Sequence, residues 1–234
     1  MKSDNLKISI IIPVLNEEEH IASTLNYLFL NSTTKNIKEI LVVDGLSTDH
    51  TVQIAKDCGA TVVHSQRGRA KQLNYGAQKA KGDILYFLHA DTLPPKRFDE
   101  SILDATKKGC QTGCFQMKFD SQSRFLSFFA WFSRVNHTLC RGGDQSLFIT
   151  KDLFVATGGF NENYKVYEDN EFIARLYEIT PFKILSRHIK TSARKYEQNG
   201  EIKLQYHFGV IHLKNYMGAG PDQLYDYYKR KIIS

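Results

Sequence analysis

Four short apolar runs, spaced by stretches of helical period, constrain this chain more than any other feature. Ile8 to Leu15 reads Ile-Ser-Ile-Ile-Ile-Pro-Val-Leu, Ile40 to Val43 is followed by Asp44, Ala60 to His64 is shorter, and Asp83 to Leu88 runs into His89-Ala90-Asp91. Runs of this length without polar alternation read as strands buried on both faces. Between them the pattern predicts one helix opening at Asn16 to Glu19 and reaching about Leu30, with Ile21, Leu25, Leu28 and Phe29 on one face. A second is predicted from the Ser47 to Thr51 stretch to Asp57, stopped by Cys58-Gly59, and a third from Gln66 to Lys81. Strand and helix in alternation at this spacing predict an α/β protein with a mostly parallel sheet flanked by helices.

That architecture gives the polar residues a place. In open α/β sheets ligands bind beyond the carboxyl ends of the strands. Asn16 and Glu17, Asp44, and His89 with Asp91 all follow strands directly, so several acids should share one sheet edge. Arg67, Arg69 and Lys71 stand at the head of the third helix. A helix N-terminus with arginine beside it is a ready anion site, although a solvated basic face has the same composition.

After Gly109 the alternation breaks. Thr112 to Phe119 reads as a strand, and Arg124 to Leu139 as an aromatic helix carrying Phe125, Phe128, Phe129, Phe132 and Val135 on its main stripe. Such a stripe is a core face or an apolar lip for a lipid-like acceptor. A strand over Gln145 to Thr150, a helical turn over Lys151 to Ala156 and an amphipathic helix opening at Glu168-Asp169 follow. Phe182 to Leu185 and Ile189 to Ser192 read as two short strands; the tail reads as a helix near 201–216 and a last one bearing Tyr225, Tyr227 and Tyr228.

Composition excludes several classes. No Lys/Arg block is long enough for a nucleic-acid arm; the net charge of +6 suits an anionic ligand such as a diphosphate, or contact with acidic lipid. Cys58, Cys110, Cys114 and Cys140 lack the spacing of a zinc site. No window approaches the ~18 apolar residues of a membrane span, and the N-terminus shows no signal pattern. A cytoplasmic protein with reduced thiols is expected, with a peripheral contact at the inner face of the membrane and a homodimer as further possibilities.

The strand endings Pro-Val-Leu-Asn-Glu-Glu, Val-Val-Asp-Gly-Leu-Ser-Thr-Asp and Phe-Leu-His-Ala-Asp-Thr, followed by the helix opening Glu168-Asp169, together resemble the family 2 glycosyltransferases of the GT-A fold over roughly residues 7–195. Arg67 to Asn74, Leu-His-Ala-Asp and Thr-Ser-Ala-Arg further resemble the short branch often described as radical-SAM-associated transferases. The resemblance implies a nucleotide-sugar-binding half over 1–110, an acceptor-binding and catalytic half over 111–200 and a C-terminal helical extension over 201–234. It places Asn16, Glu17, Asp44 and Arg69 around the nucleotide of an NDP-sugar and makes Asp91 the last acid of an Asp-X-Asp metal motif whose first position here is His89. Mn²⁺ or Mg²⁺ is the implied cofactor; an imidazole ligand would favour Mn²⁺. Asp169 takes the place of the catalytic base of inverting members, and Arg141, Asp144 and Gln145 fall in the acceptor-facing part. The acceptor itself is open, a lipid-linked one included. A catalytically silent nucleotide-sugar-binding protein and a nucleotidyltransferase are the competing readings.

Overall fold

The computed structural model describes residues 5–233. In chain order it comprises β1 (Ile8–Val14), α1 (Ile21–Asn31), β2 (Ile37–Asp44), α2 (Thr51–Asp57), β3 (Thr61–His64), α3 (Arg69–Lys79), β4 (Ile84–Phe87), β5 (Thr92–Leu93), α4 (Phe98–Lys107) and β6 (Thr112–Phe119). The second part holds α5 (Arg124–Trp131), three short 3₁₀ turns, β7 (Leu147–Thr150), α6 (Lys151–Ala156), α7 (Glu168–Ile179), β8 (Lys183–Thr191), α8 (Arg194–Asn199), α9 (Glu201–Tyr216) and α10 (Pro221–Tyr228).

All eight strands form one sheet in the order β3-β2-β1-β4-β7-β6-β8-β5. β1 to β4 are parallel, so their carboxyl ends share an edge; β7 is antiparallel to both its neighbours, and β6 and β8 run parallel. Both faces are covered. One core gathers Ile8, Ile10 and Ile12 with Leu25, Phe98, Phe115, Phe148 and Ile189; the other gathers Ile11, Leu41 and Val43 with Leu73, Phe154, Phe172 and Leu176. Residues from early and late in the chain therefore share each core. A third cluster, with Leu126, Tyr196, Leu204, Ile211 and Leu224, holds the C-terminal helices to α5.

Two glycines set close approaches. A methyl at Gly76 would lie 2.5 Å from Ile11 Cγ2 and 2.8 Å from Val43 Cγ2, so glycine is what lets α3 lie flat on β1 and β2. A methyl at Gly113 would strike the Lys183 carbonyl of β8 and the Phe148 ring. From α3 the buried Gln72 donates both amide hydrogens, to the Val14 and Val43 carbonyls at 2.8 Å each. It thereby clamps the ends of the two strands that carry the first acids.

Four expectations are corrected. α1 begins at Ile21, five residues after Asn16, because the intervening polar groups bind the β2–α2 loop instead of opening a helix. The aromatic helix stops at Trp131 rather than Leu139: the buried Arg141 guanidinium donates to the Ser133 and Val135 carbonyls, which a continuing helix would have used internally. Its stripe is not a core face, since Leu126 and Ala130 are its buried residues while Phe128, Trp131, Phe132 and Val135 are exposed. The two short strands expected after Phe182 are one, β8, which follows β6 across an irregularity at Phe115/Gln116.

Candidate active site

The parallel strands deliver their polar termini together. Past β1, Asn16 takes a left-handed backbone (φ 55) and stitches two loops: its Oδ1 accepts from Thr48 N at 2.8 Å and its N donates to Ser47 Oγ at 3.0 Å. Glu17 N donates to Thr51 Oγ1 at 2.8 Å, and the Glu17 carboxylate lies 3.5 Å from Arg194 Nη2. Burial raises the proton affinity of Glu17, Arg194 opposes this, and the Asp91 charge adds to it. Glu17 therefore faces Asp91 within electrostatic reach. Arg194, from the start of α8, also donates to His20 Nε2.

Asp44 closes β2 and is 2% exposed. Its oxygens accept from Leu46 N (3.2 Å) and Ser47 N (3.0 Å), and His64 Nδ1 stands at 3.1 Å. Burial pushes its carboxyl up, but the hydrogen bonds from Ser47, His64 and Leu46 outweigh burial and hold it below the usual range. As placed, Asp44 shapes the turn after β2. β4 ends at Phe87, and the His89-Ala90-Asp91 loop is held by Thr24 of α1, whose hydroxyl donates to the Ala90 carbonyl at 2.5 Å.

Arg69, the first residue of α3, joins the two halves. Its Nε is 3.2 Å from Glu168 Oε1, its Nη2 is 2.9 Å from Asp169 Oδ2, and the same Nη2 is 3.3 Å from His89 Nδ1. Sequence reasoning put Arg69 in the nucleotide pocket; here its fork bridges the two acids that open α7. Both carboxylates enjoy the N-terminal end of that helix, and Asn170 beside them ties α7 to the Arg141 carbonyl at 2.7 Å. The crevice lined by Arg69, His89, Ser146 and Asp169 has a volume of only about 10 Å³. A wider groove of about 1070 Å³ runs along the other side of α3 past Leu46, His64, Tyr75 and Phe154, and includes neither Asp91 nor Asp169.

Glu168 is 3% exposed. Burial, then the neighbouring Asp169 charge, push its carboxyl up to about 7, against the pull of Arg69 and Lys195. His89 is held neutral: burial, Arg69 and Lys195 all push its imidazole well below the usual range. Asp144, 3.7 Å from His89 Nδ1, keeps half its surface open; partial loss of water around its carboxylate raises it, Arg69 and Lys195 lower it, and Asp91 and Asp169 raise it. Lys195 thus acts on three groups of the cleft. It does so from a distance, held by the C-terminal helices: Nζ donates to Tyr228 Oη at 2.6 Å and lies over the Tyr228 and Phe208 rings at 4.9 and 5.5 Å.

Two expected acceptor residues face inward. Arg141 is 3% exposed and donates to Gln145 Oε1, Ser133 O and Val135 O at 2.6–2.7 Å, with Cys114 Sγ at 3.1 Å. Gln145 is buried and returns a bond to the Cys140 carbonyl at 2.7 Å. Together they brace the loop that carries Asp144, so of the three, Asp144 is the one presented to the cleft. Sequence reasoning missed Glu168, His20, Arg194 and Lys195 as site groups; the Thr-Ser-Ala-Arg-Lys stretch was the available signal for the last two.

The metal expectation was tested against the donor set. Among the described residues no group of three or more His, Cys, Asp or Glu is arranged to hold an ion. His89 Nδ1 faces the Arg69 guanidinium at 3.3 Å, so this nitrogen is turned to a cation rather than to a metal. Asp91 fits better: its hydroxyl partner is the weak 3.3 Å contact from Thr92. One carboxylate beside a diphosphate is an accepted magnesium arrangement, with phosphate oxygens and water completing the shell.

Backbone strain marks the same ground. Asn16, Leu46, Ser146 and Tyr167 all have positive φ, and each adjoins a site segment. Left-handed non-glycine residues persist where surrounding structure holds them, often at functional sites.

Comparison with known proteins bears on the fold and the family. Residues 9–161 match the family model described as glycosyl transferase family 2. Glycosyltransferase AglE of Haloferax volcanii is 34% identical over 100 residues, covering 40% of this chain and 33% of that protein. The crystal structure of S. aureus TarS in complex with UDP superposes with a TM-score of 0.67 at 22% identity, over 80% of this chain and 60% of that one. Glucosyl-3-phosphoglycerate synthase from Mycobacterium tuberculosis, solved with Mn²⁺, UDP and glucosyl-3-phosphoglycerate, gives 0.61 at 18% identity over 78% of this chain and 70% of that one. The chain spans about a third of the length of curated relatives such as AglE. The solved structures speak for the fold, which is GT-A. With well over half of its residues inside the family match, the chain belongs to glycosyl transferase family 2.

Proposed function

We propose that this protein transfers a sugar from an NDP-sugar to an acceptor hydroxyl with inversion at the anomeric carbon. The observation that carries the reading is that Asp169, at the head of α7 and paired with Arg69 at 2.9 Å, and Asp91, beyond β4, both act on the Asp144 carboxylate, so that the two acids border one cleft. An acceptor hydroxyl is a poor nucleophile until a carboxylate takes its proton, and Asp169 is suited to that role. As the acceptor oxygen bonds to the anomeric carbon, the bond to the diphosphate breaks and its electron pair leaves with the nucleoside diphosphate. Arg69, Arg194 and Lys195 offer the positive charge that this leaving group requires. A divalent cation bound at Asp91 and the diphosphate would add further neutralisation there.

Asn16 and Glu17 border the nucleoside side, and Asp44 acts through the turn it shapes. Asp144 contacts the acceptor. The Arg67 to Asn74 and Thr-Ser-Ala-Arg stretches support placement in the short radical-SAM-associated branch. Relatives solved with UDP or UDP-GlcNAc support a nucleotide-sugar donor, and those solved with Mn²⁺ or Mg²⁺ support divalent-cation use.

The test is a thermal-shift screen of nucleoside diphosphates and NDP-sugars, each with and without Mn²⁺. The reading expects at least one nucleotide to raise the melting temperature, with a larger rise when Mn²⁺ is present, and expects Asp91→Ala to remove the Mn²⁺-dependent part. No stabilisation by any nucleotide would refute it.

A further inference from the structure

The surface beyond α5 is not used by this mechanism. Phe128 is 59% exposed, Trp131 52% and Phe132 37%, and their rings meet edge to face at 5.2 and 5.5 Å. Val135 and Leu139 continue the exposed apolar surface along the chain. The contiguous aromatic ladder is therefore presented to solvent by a helix of eight residues and the 3₁₀ turn that follows it, too short to span a bilayer.

The segment that carries the ladder holds charge of one sign. From Ser121 to Gly143 the sequence contains no acid. Arg124 and Arg134 are exposed at either end of the ladder. Arg134 Nη2 stands 3.5 Å from His188 Nε2, and Lys118 joins Arg134 in holding that imidazole below its usual range after burial. The acids bordering the patch are engaged: Asp120 pairs with Lys190 at 2.6 Å, and Glu201 accepts from Ser123 at 2.6 Å.

We infer that the Phe128–Trp131–Phe132 ladder, with Arg124, Arg134 and Lys118 around it, docks the protein on an anionic lipid surface. Aromatic rings seat at the boundary between headgroups and acyl chains, and cations beside them meet lipid phosphates. A second copy of the chain is the poorer occupant. Two-fold pairing sets the same patch against itself, bringing arginines together while the bordering acids, Asp120 and Glu201, are already engaged by Lys190 and Ser123. The segment leads directly into the Gly142-Gly143-Asp144 turn. The inference rests on surface geometry and stands whether or not the proposed sugar transfer is correct.

Trp131 is the chain's one tryptophan, so its fluorescence reports this surface directly. The full chain is titrated with vesicles of equal parts phosphatidylcholine and phosphatidylglycerol, and with phosphatidylcholine alone. The expected result is a blue shift and co-sedimentation with the anionic vesicles, quenching by brominated acyl chains, and weakening with added salt. Arg124→Gln with Arg134→Gln should lower the partition coefficient about twenty-five-fold, at about fivefold per arginine. Phe128→Ser with Phe132→Ser keeps the reporter and the charge and should lower it more than about tenfold. Unchanged emission with no co-sedimentation overturns the inference. So does a concentration-dependent dimer with blue-shifted emission before any lipid is added.

Discussion

Glu168→Gln isolates an electrostatic burden that the candidate site imposes on the fold. The Glu168 carboxyl is pushed from its ordinary 4.5 up to about 7 by burial and by Asp169, with the attraction of Arg69 already included. The folded state thus holds this proton more tightly than the unfolded chain. Stability contributed by the protonated form is full below about pH 4.5, is lost as pH rises toward 7, and is level above it. At roughly 1.4 kcal/mol per tenfold in proton affinity, the loss is about 3 kcal/mol. Glutamine mimics the protonated acid in size and neutrality. Urea melts of both proteins at pH 5, 6, 7 and 8 should therefore give similar stabilities at pH 5 and a glutamine variant about 3 kcal/mol more stable at pH 8. Ionisable groups away from Glu168 titrate in both proteins and cancel in the difference; Asp169, whose charge acts on Glu168, contributes to it. A difference that is flat from pH 5 to pH 8, or one that favours the wild type at pH 8, refutes the reasoning.

Lys195→Met should lower kcat/KM for the donor by about 10–100-fold, whereas Tyr228→Phe, which keeps the ring under the ammonium, should lower it less than about tenfold; steady-state kinetics with matched thermal melts separate this from unfolding. Arg141→Ala leaves the Ser133 and Val135 carbonyls and Gln145 without their donor, so it should destabilise the fold by about 3 kcal/mol, read by urea melts, and a pure rise in acceptor KM at unchanged stability would contradict its assignment as a brace. Gly113→Ala drives a methyl against the Lys183 carbonyl and should destabilise by about 1–3 kcal/mol or more, read by denaturant midpoint.

The first half of the sheet was legible because β1, β4 and the end of β2 are buried on both faces and the helices between them are amphipathic, so local pattern and tertiary fate coincide, while the exposed edge strand β3 was read from its spacing. Misreadings arose where a distant residue overrode the local signal. Asn16, Glu17 and Glu18 look like a helix start, yet their groups serve the loop after β2. The aromatic helix was read too long because nothing local reveals that Arg141 takes its carbonyls. β5, two residues long and defined by pairing with β8, carries no periodicity at all.

In the site, the acids at the strand ends could be read from the strands that deliver them. The Arg69 fork across Glu168 and Asp169 joins residues about a hundred positions apart, and no spacing rule announces it. Arg141 in a glycine-bordered turn looks solvent-facing until its burial is seen. Lys195 likewise gains its part from Tyr228, in a tail that sequence reasoning treated as an extension.

The central claim is that Asp169 is the base and Asp91 serves the leaving diphosphate. The most direct measurement is the rate of nucleoside diphosphate release from the donor that binds, with Mn²⁺, in the wild type, Asp169→Asn and Asp91→Ala. The account predicts that Asp169→Asn lowers kcat by about 10²–10⁴-fold while donor affinity is kept, and that Asp91→Ala weakens Mn²⁺-dependent donor binding as well as turnover. Full turnover by Asp169→Asn at unchanged pH dependence would contradict it.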